Sequence, residues 1–144
     1  MRVYLDNCSF NRPFDDQAHP RIRLETEAKL HIQDGVEAGT IELAWSYVLD
    51  FENAANPYES RRIAIDRWKA RATLDVGESD EVLQRAKDLA DLGLSPTDAL
   101  HVSCAIVAHA DYFVTTDDRI LDRRIKVHGI EIVDPTALVR KLNP

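Results

Sequence analysis

Asp6, Glu52, Asp98 and Asp117 stand where the sequence pattern ends its strands or begins its helices. Asp6 closes the apolar run Val3-Tyr4-Leu5, and Asp117 and Asp118 follow Tyr112-Phe113-Val114-Thr115-Thr116. Asp98 falls in the first turn of the helix expected to begin at Ser95-Pro96, and Glu52 in the helix expected after a second strand. Open α/β sheets bind ligands beyond the carboxyl ends of their strands. Each acid alone has a structural explanation. Asp98 completes a capping box with Ser95, Asp117 or Asp118 caps the next helix, Asp6 accepts a backbone N–H in a turn, and Glu52 is a solvated helix residue. Gathered within a few ångströms, they would raise one another's pKa values, and only a cation among them makes that tolerable. Carboxylate oxygens suit a hard ion such as Mg²⁺ or Mn²⁺ rather than zinc. His101, one helical turn beyond Asp98, is either a further ligand or a core histidine.

The elements that must position these acids alternate along the chain. Val3-Tyr4-Leu5 reads as a strand, and Ser9 to Gln17 as a loop or short helical turn. Arg21 to Val36 has a helical rhythm, with Leu24, Ala28, His31, Ile32, Gly35 and Val36 on one face. Thr40 to Trp45 reads as a strand, Ser46 as the cap of a helix through Asn53, and Tyr58 to Arg71 as another helix. Thr73 to Val76 is a weak strand. Asp80 to Leu92 is helical and ends at Gly93. The helix from Ser95-Pro96 to His109 is apolar almost all round, so it belongs in the interior. Tyr112 to Thr115 is a strand, Asp118 to Lys126 a helix, Ile130 to Val133 a last strand and Pro135 to Lys141 a terminal helix. This order predicts an α/β fold. Its central sheet is mostly parallel, has about five strands and is flanked by helices on both faces. No repeat or linker divides residues 1–144, so a single domain is expected.

Composition narrows the function. The chain has 144 residues, with 18 Lys plus Arg against 25 Asp plus Glu, a net charge of −7. That charge argues against a simple basic-patch nucleic-acid binder, which needs cations to neutralise phosphate. Two local basic clusters remain: Arg61 to Ala72, and Arg119 to Lys126. Arg119, Arg123 and the Arg61–Arg71 segment are candidate phosphate contacts, the last equally a solvated helix face. Trp68, amid the first, either stacks on a base or anchors the core. Cys8 and Cys104 are far apart and in no CxxC pair, which predicts reduced thiols and a cytoplasmic protein. The longest uncharged apolar stretch, Ala99 to Ala110, suits a buried helix better than a membrane span, and the first residues hold no signal-peptide core. No Gly-rich phosphate cradle occurs.

Taken in order, these motifs resemble the PIN-domain family, the fold of the VapC-type toxin ribonucleases, over the whole chain. Val-Tyr-Leu-Asp6 resembles the family's opening strand and first acid. Glu52, within Val-Leu-Asp-Phe-Glu-Asn, falls where the family places its second. Pro96-Thr97-Asp98-Ala99-Leu100-His101 is similar to its third-acid motif, and Phe113-Val114-Thr115-Thr116-Asp117 to its fourth. It is this likeness that selects Glu52 over the neighbouring Asp50 and Glu42. The resemblance implies a Mg²⁺- or Mn²⁺-dependent endoribonuclease, with Asp6, Glu52, Asp98 and Asp117 as metal-holding and catalytic acids. The family implies 5′-phosphate products; in such a site Thr116 would bond an acid or position substrate phosphate, and Arg119 would contact substrate phosphate. It also implies an RNA substrate, an antitoxin protein as partner and a homodimer. Two alternatives stay open. One is a non-catalytic PIN-like module that binds RNA or protein. The other is a different acidic-site α/β protein, a phosphoryl-transfer receiver or a dehalogenase-type phosphatase. The phosphatase expects Asp-x-Asp where Cys8 stands, and the receiver a Lys that the last strand lacks.

Overall fold

The computed structural model describes every residue from Met1 to Pro144. Its chain runs β1 (Arg2–Leu5), α1 (Asn7–Asn11), α2 (Pro20–Glu37), β2 (Glu42–Ser46), α3 (Tyr47–Ala54), α4 (Glu59–Lys69) and β3 (Leu74–Val76). It continues through α5 (Asp80–Ala90), α6 (Pro96–Val107), β4 (Tyr112–Val114), α7 (Asp118–Leu121), β5 (Glu131–Val133) and α8 (Pro135–Leu142). The five strands form one sheet in the order β3-β2-β1-β4-β5, and every pairing is parallel. Val3, Tyr4 and Leu5 are all fully buried although successive side chains leave a strand on opposite faces. Both faces of the sheet are therefore covered, as an all-parallel sheet requires. α5 packs against α6, and α2 against α8.

The strand order places the site. The chain builds β2 and β3 on one side of β1, then β4 and β5 on the other. The order reverses between β1 and β4, and a crevice opens there beyond the strands' carboxyl ends. β1 ends at Leu5 opposite Val114, and the Asp6 amide donates to the Val114 carbonyl at 2.9 Å. The residues that follow β1 and β4 are thereby locked side by side.

Local chemistry explains most element boundaries. Ser46, Ser79, Ser95 and Asp134 each accept a backbone N–H at a helix start, and Pro96 and Pro135 occupy first helical positions. Gly93, with φ of +100°, turns the chain after α5 as the sequence predicts. Of the two alternatives left open after Asp6, the helical one holds: a short helix capped by the Asp6 carboxylate, then a 3-10 turn at Arg12–Phe14. Two other expectations are corrected. The helix expected over Asp118 to Lys126 stops at Leu121, and a 3-10 turn covers Arg124–Lys126. Its hydrogen-bond ladder breaks because the Arg123 guanidinium takes the Arg119 carbonyl at 2.8 Å while the Arg123 amide turns to Ile120. The buried stripe of α2 is rotated from the expected one. Leu24 is 56% exposed and His31 is exposed, whereas Glu25, Lys29 and Gln33 are buried.

The polar members of that stripe could not be found by hydrophobic periodicity. Glu25 is buried against Arg12 at 3.1 Å and Arg21 at 3.4 Å. Lys29 has no carboxylate partner. Its ammonium lies 5.4 Å from the Phe10 ring centroid and 5.9 Å from that of Trp68, and burial lowers its pKa to about 7. Below that pH the native state carries a desolvated charge. Between pH 7 and the ordinary lysine range the unfolded chain binds a proton that the native chain has released, so stability rises with pH. Replacing Lys29 with Met is expected to stabilise the protein by about 1–3 kcal/mol at pH 6 and to flatten this rise. Urea unfolding from pH 6 to pH 10 measures both effects, and a destabilised, equally pH-dependent variant would contradict them.

Candidate metal centre

Asp6 is the hinge of the site. It is 5% exposed and caps α1, its Oδ1 accepting the Asn7 amide at 2.8 Å. Its Oδ2 accepts the Thr115 hydroxyl at 2.8 Å and the Cys8 thiol at 3.3 Å. Burial, and then the Asp6 charge, push the Cys8 thiol up to about 12, so it stays a neutral donor. Thr115 also accepts the Asp117 amide at 3.0 Å, which clamps the end of β4 onto the end of β1. The hydroxyl that reaches an acid is thus that of Thr115. Thr116, the expected one, is buried and offers its carbonyl to Arg21 at 3.2 Å. Side chains alternate along an extended segment, so only one of the two can face Asp6.

α3 brings in Glu52. The acids near it in sequence are engaged elsewhere: Asp50 accepts Trp45 Nε1 at 2.9 Å and pairs with Lys69 at 3.0 Å, and Glu42 pairs with Arg2. Glu52 Oε1 meets His101 Nε2, which also lies 3.9 Å from Asp6 Oδ1. One ligand atom from each of Asp6, Glu52 and His101 lies within 4.8 Å of the others. α6 therefore contributes His101 as well as Asp98. The His101 ring is wholly buried, and behind it Nδ1 lies 2.6 Å from Tyr4 Oη, itself 2.6 Å from Ser46 Oγ. Facing two carboxylates, Nε2 carries a proton, and the ring orients Glu52 as a hydrogen-bond donor. Burial pulls the His101 pKa down, but Glu52 and then Asp6 outweigh it and raise the net value.

Asp98 and Asp117 stand outside that close group. Asp98 is half-buried, and its pKa is raised, first by burial and then by the charges of Asp6 and Asp117. Burial pulls Asp117 upward too, but Arg119 reverses the sign and holds it below the ordinary range. The Arg119 fork places Nε 3.3 Å from Oδ1 and Nη2 3.1 Å from Oδ2. Asp118 turns away to pair with Arg21 at 2.8 Å. The tertiary structure thus brings Asp6 and Glu52 together around His101 and sets Asp98 within the electrostatic reach of Asp6 and Asp117. This donor set fits a hard divalent cation. It offers carboxylate oxygens from several elements, Asp6 is buried and Glu52, Asp98 and Asp117 are partly exposed, and burial and then the charges of Asp6 and Asp117 raise the Asp98 pKa.

The sequence reading missed the hydrogen-bonded chain behind His101 and the clamp at Thr115. The signals were weak: Tyr4 and Ser46 read as strand and cap residues, and nothing local ties them to a histidine far along the chain. The basic clusters are partly spent on internal pairs, Arg61 on Asp15, Lys69 on Asp50 and Arg71 on Glu37. Trp68 is half-buried against the core, its ring between Lys29 and Arg71, so it serves as an anchor. Both cysteines are free thiols, and no helix is long and apolar enough to cross a membrane.

No family model matches the chain, and no curated protein matches it by sequence. Solved structures do match in shape. A chain of VapBC2 from Rickettsia felis, solved bound to a DNA fragment from its promoter, is 13% identical. It aligns over 93% of this chain and 98% of that one with a TM-score of 0.57. A chain of VapBC-1 from nontypeable Haemophilus influenzae is 14% identical, over 94% of this chain and 99% of that one, also at 0.57. The fold is the VapC-type PIN-domain fold, an α/β architecture around a five-stranded all-parallel sheet.

The buried chain and the raised carboxyl give separate expectations. Tyr4→Phe leaves Ser46 Oγ and His101 Nδ1 without their shared partner, which is expected to cost about 1–3 kcal/mol. Denaturant titration in EDTA reads this, and an unchanged midpoint would refute the network. Asp98→Asn removes a charge held at a cost, so the metal-free protein is expected to gain up to about 1 kcal/mol at neutral pH, a gain lost as the pH falls through the raised Asp98 pKa. Thermal melts across that range check the sign.

Proposed function

We propose that this chain is a Mg²⁺- or Mn²⁺-dependent endoribonuclease acting as the toxin of a toxin–antitoxin pair. What supports the reading is the close group of Asp6, Glu52 and His101, with Asp98 in electrostatic reach of Asp6 and Asp117, at the reversal point of a PIN-type sheet. The relatives in shape are VapBC structures, which supports an antitoxin protein as partner, with a homodimer and a cytoplasmic location as further parts of the proposal.

In this reading Asp6, Glu52, Asp98 and Asp117 hold the cation and are the catalytic acids. The bound ion supplies a nucleophilic water at neutral pH and relief for charge on the phosphoryl group. The protein supplies geometry. Asp6 is fixed by Thr115 and the Asn7 amide, so its oxygens need no reorganisation. Glu52, steered by His101, orients water and takes its proton. Asp98, with its raised pKa, is the acid most readily eased by a cation. Thr116, just after β4, and Arg119, in the first turn of α7, are the proposed substrate contacts, and the repulsion of RNA by an unfilled acid cluster favours cation binding first.

Asp6→Asn is expected to reduce Mn²⁺-supported cleavage of single-stranded RNA at least about 100-fold while the protein stays folded. A gel assay with 5′-phosphate mapping tests it, beside far-ultraviolet circular dichroism. Millimolar Mn²⁺ is expected to raise the melting temperature of the wild type and not of this variant. Wild-type cleavage by the variant, or no cleavage by either protein, would refute the reading. Metal and RNA binding without cleavage would point instead to a non-catalytic module.

A further inference from the structure

A cavity of about 240 Å³ opens beside Asp98, between the start of α6 and α7. Gly93, Leu94, Ser95, Asp98, Arg119 and Arg123 line it. Arg123 is half-buried and pairs with no carboxylate in the molecule; its guanidinium is held by the Arg119 carbonyl at 2.8 Å. Gly93 makes room for it. A Cβ at that position would stand 2.6 Å from Arg123 Nε, so the bare backbone seats the guanidinium against the cavity wall. A half-buried cation without a counter-ion, facing a cavity, is arranged for an anion from outside.

Arg119 has the opposite circumstance. Its side chain is 80% exposed, yet both ends of its fork rest on Asp117. An exposed pair of this kind is weak and easily exchanged. Arg119 therefore acts as the resident counter-ion of a carboxylate that the proposed function assigns to a divalent cation. Once Asp117 turns to that cation, the guanidinium is released at the mouth of the same cavity, next to Arg123.

We infer that this cavity is a phosphate subsite for the substrate strand, with Arg123 its standing contact and Arg119 a contact freed from Asp117 when the metal centre fills. The inference rests on the nuclease reading for its substrate, but its own chemistry is anion recognition by two guanidiniums. It also gives an order of binding: the phosphate contact at Arg119 is completed only after the acids have taken their cation.

The test uses the full chain, Mn²⁺ and a fluorescein-labelled 2′-O-methyl oligouridine whose integrity after each titration is checked on a gel. Calorimetry with Mn²⁺ alone is expected to show Arg119→Gln binding the ion about two- to fivefold more tightly than wild type, since a competitor for Asp117 is gone. Arg123→Gln is expected to bind it like wild type. Anisotropy with the oligonucleotide in Mn²⁺ is expected to show both variants binding more weakly. Each should lower the slope of log affinity against log salt by about one. Equal or weaker Mn²⁺ binding by Arg119→Gln would overturn the exchange, and unchanged salt slopes in both variants would overturn the subsite. If these shifts appear while wild-type protein leaves natural RNA uncut, the nuclease reading fails and the subsite stands. If RNA is cut and the slopes do not move, the subsite fails and the nuclease reading stands.

Discussion

Like charges crowded at one end of a parallel sheet are the constraint around which this protein is arranged. Asp6, Glu52, Asp98 and Asp117 come from separate elements, and the Asp98 pKa is raised first by burial and then by the charges of Asp6 and Asp117. The fold manages their repulsion by giving each acid its own answer. Asp6 receives a backbone amide, a hydroxyl and a thiol. Glu52 receives the His101 ring, and Asp117 receives the Arg119 fork. Asp98, with Ser95 as its nearby donor, is left least compensated. These answers differ in how firmly they hold. Buried hydrogen bonds at Asp6 fix geometry, whereas the exposed pair at Asp117 is worth little and can be exchanged. A site built in this way has rigid and replaceable parts, which a cation-binding centre needs.

Rigidity comes from the interior. Tyr4 in the central strand stacks on Phe113 at 5.5 Å, and its hydroxyl joins Ser46 to His101. One side chain of β1 thus ties the end of β2 to α6, and through His101 to Glu52 on α3. The buried side of α6 carries Ser103 and His101 among Ala99, Val102, Cys104 and Ala105, and His101 is tolerated there because both ring nitrogens are bonded. The wall of the core is in this sense the back of the site. The same economy of contacts holds on the buried face of α2. There Glu25 is neutralised by two arginines, while Lys29 is left to the faces of Phe10 and Trp68.

Much was legible from residue order alone. Serine and aspartate caps, prolines at first helical positions and Gly93 mark helix ends by short-range chemistry, and the structure places those ends within a few residues of their marks. The alternation of apolar runs with helical rhythm implied a parallel sheet, because strands buried on both faces and joined by helices leave few other arrangements. What failed did so where side chains compete with the backbone or where polar groups are buried. Arg123 ended a helix by bonding to a carbonyl of the preceding turn, and charged residues took the inner stripe of α2, which periodicity assigns to apolar ones.

For the site, the sequence itself determined which residue types stand at the ends of which elements, since caps and strand ends are set by neighbours a few positions away. Tertiary structure alone decided that Asp117 and not Asp118 turns inward, that Thr115 and not Thr116 bonds Asp6, and that His101 holds Glu52. It alone set a solitary arginine against a bare glycine beside the acids. Those outcomes depend on the pairing of β1 with β4 and on the packing of α6 against the sheet, which join residues about a hundred positions apart. No local preference encodes such distances; only the burial of the whole core selects them.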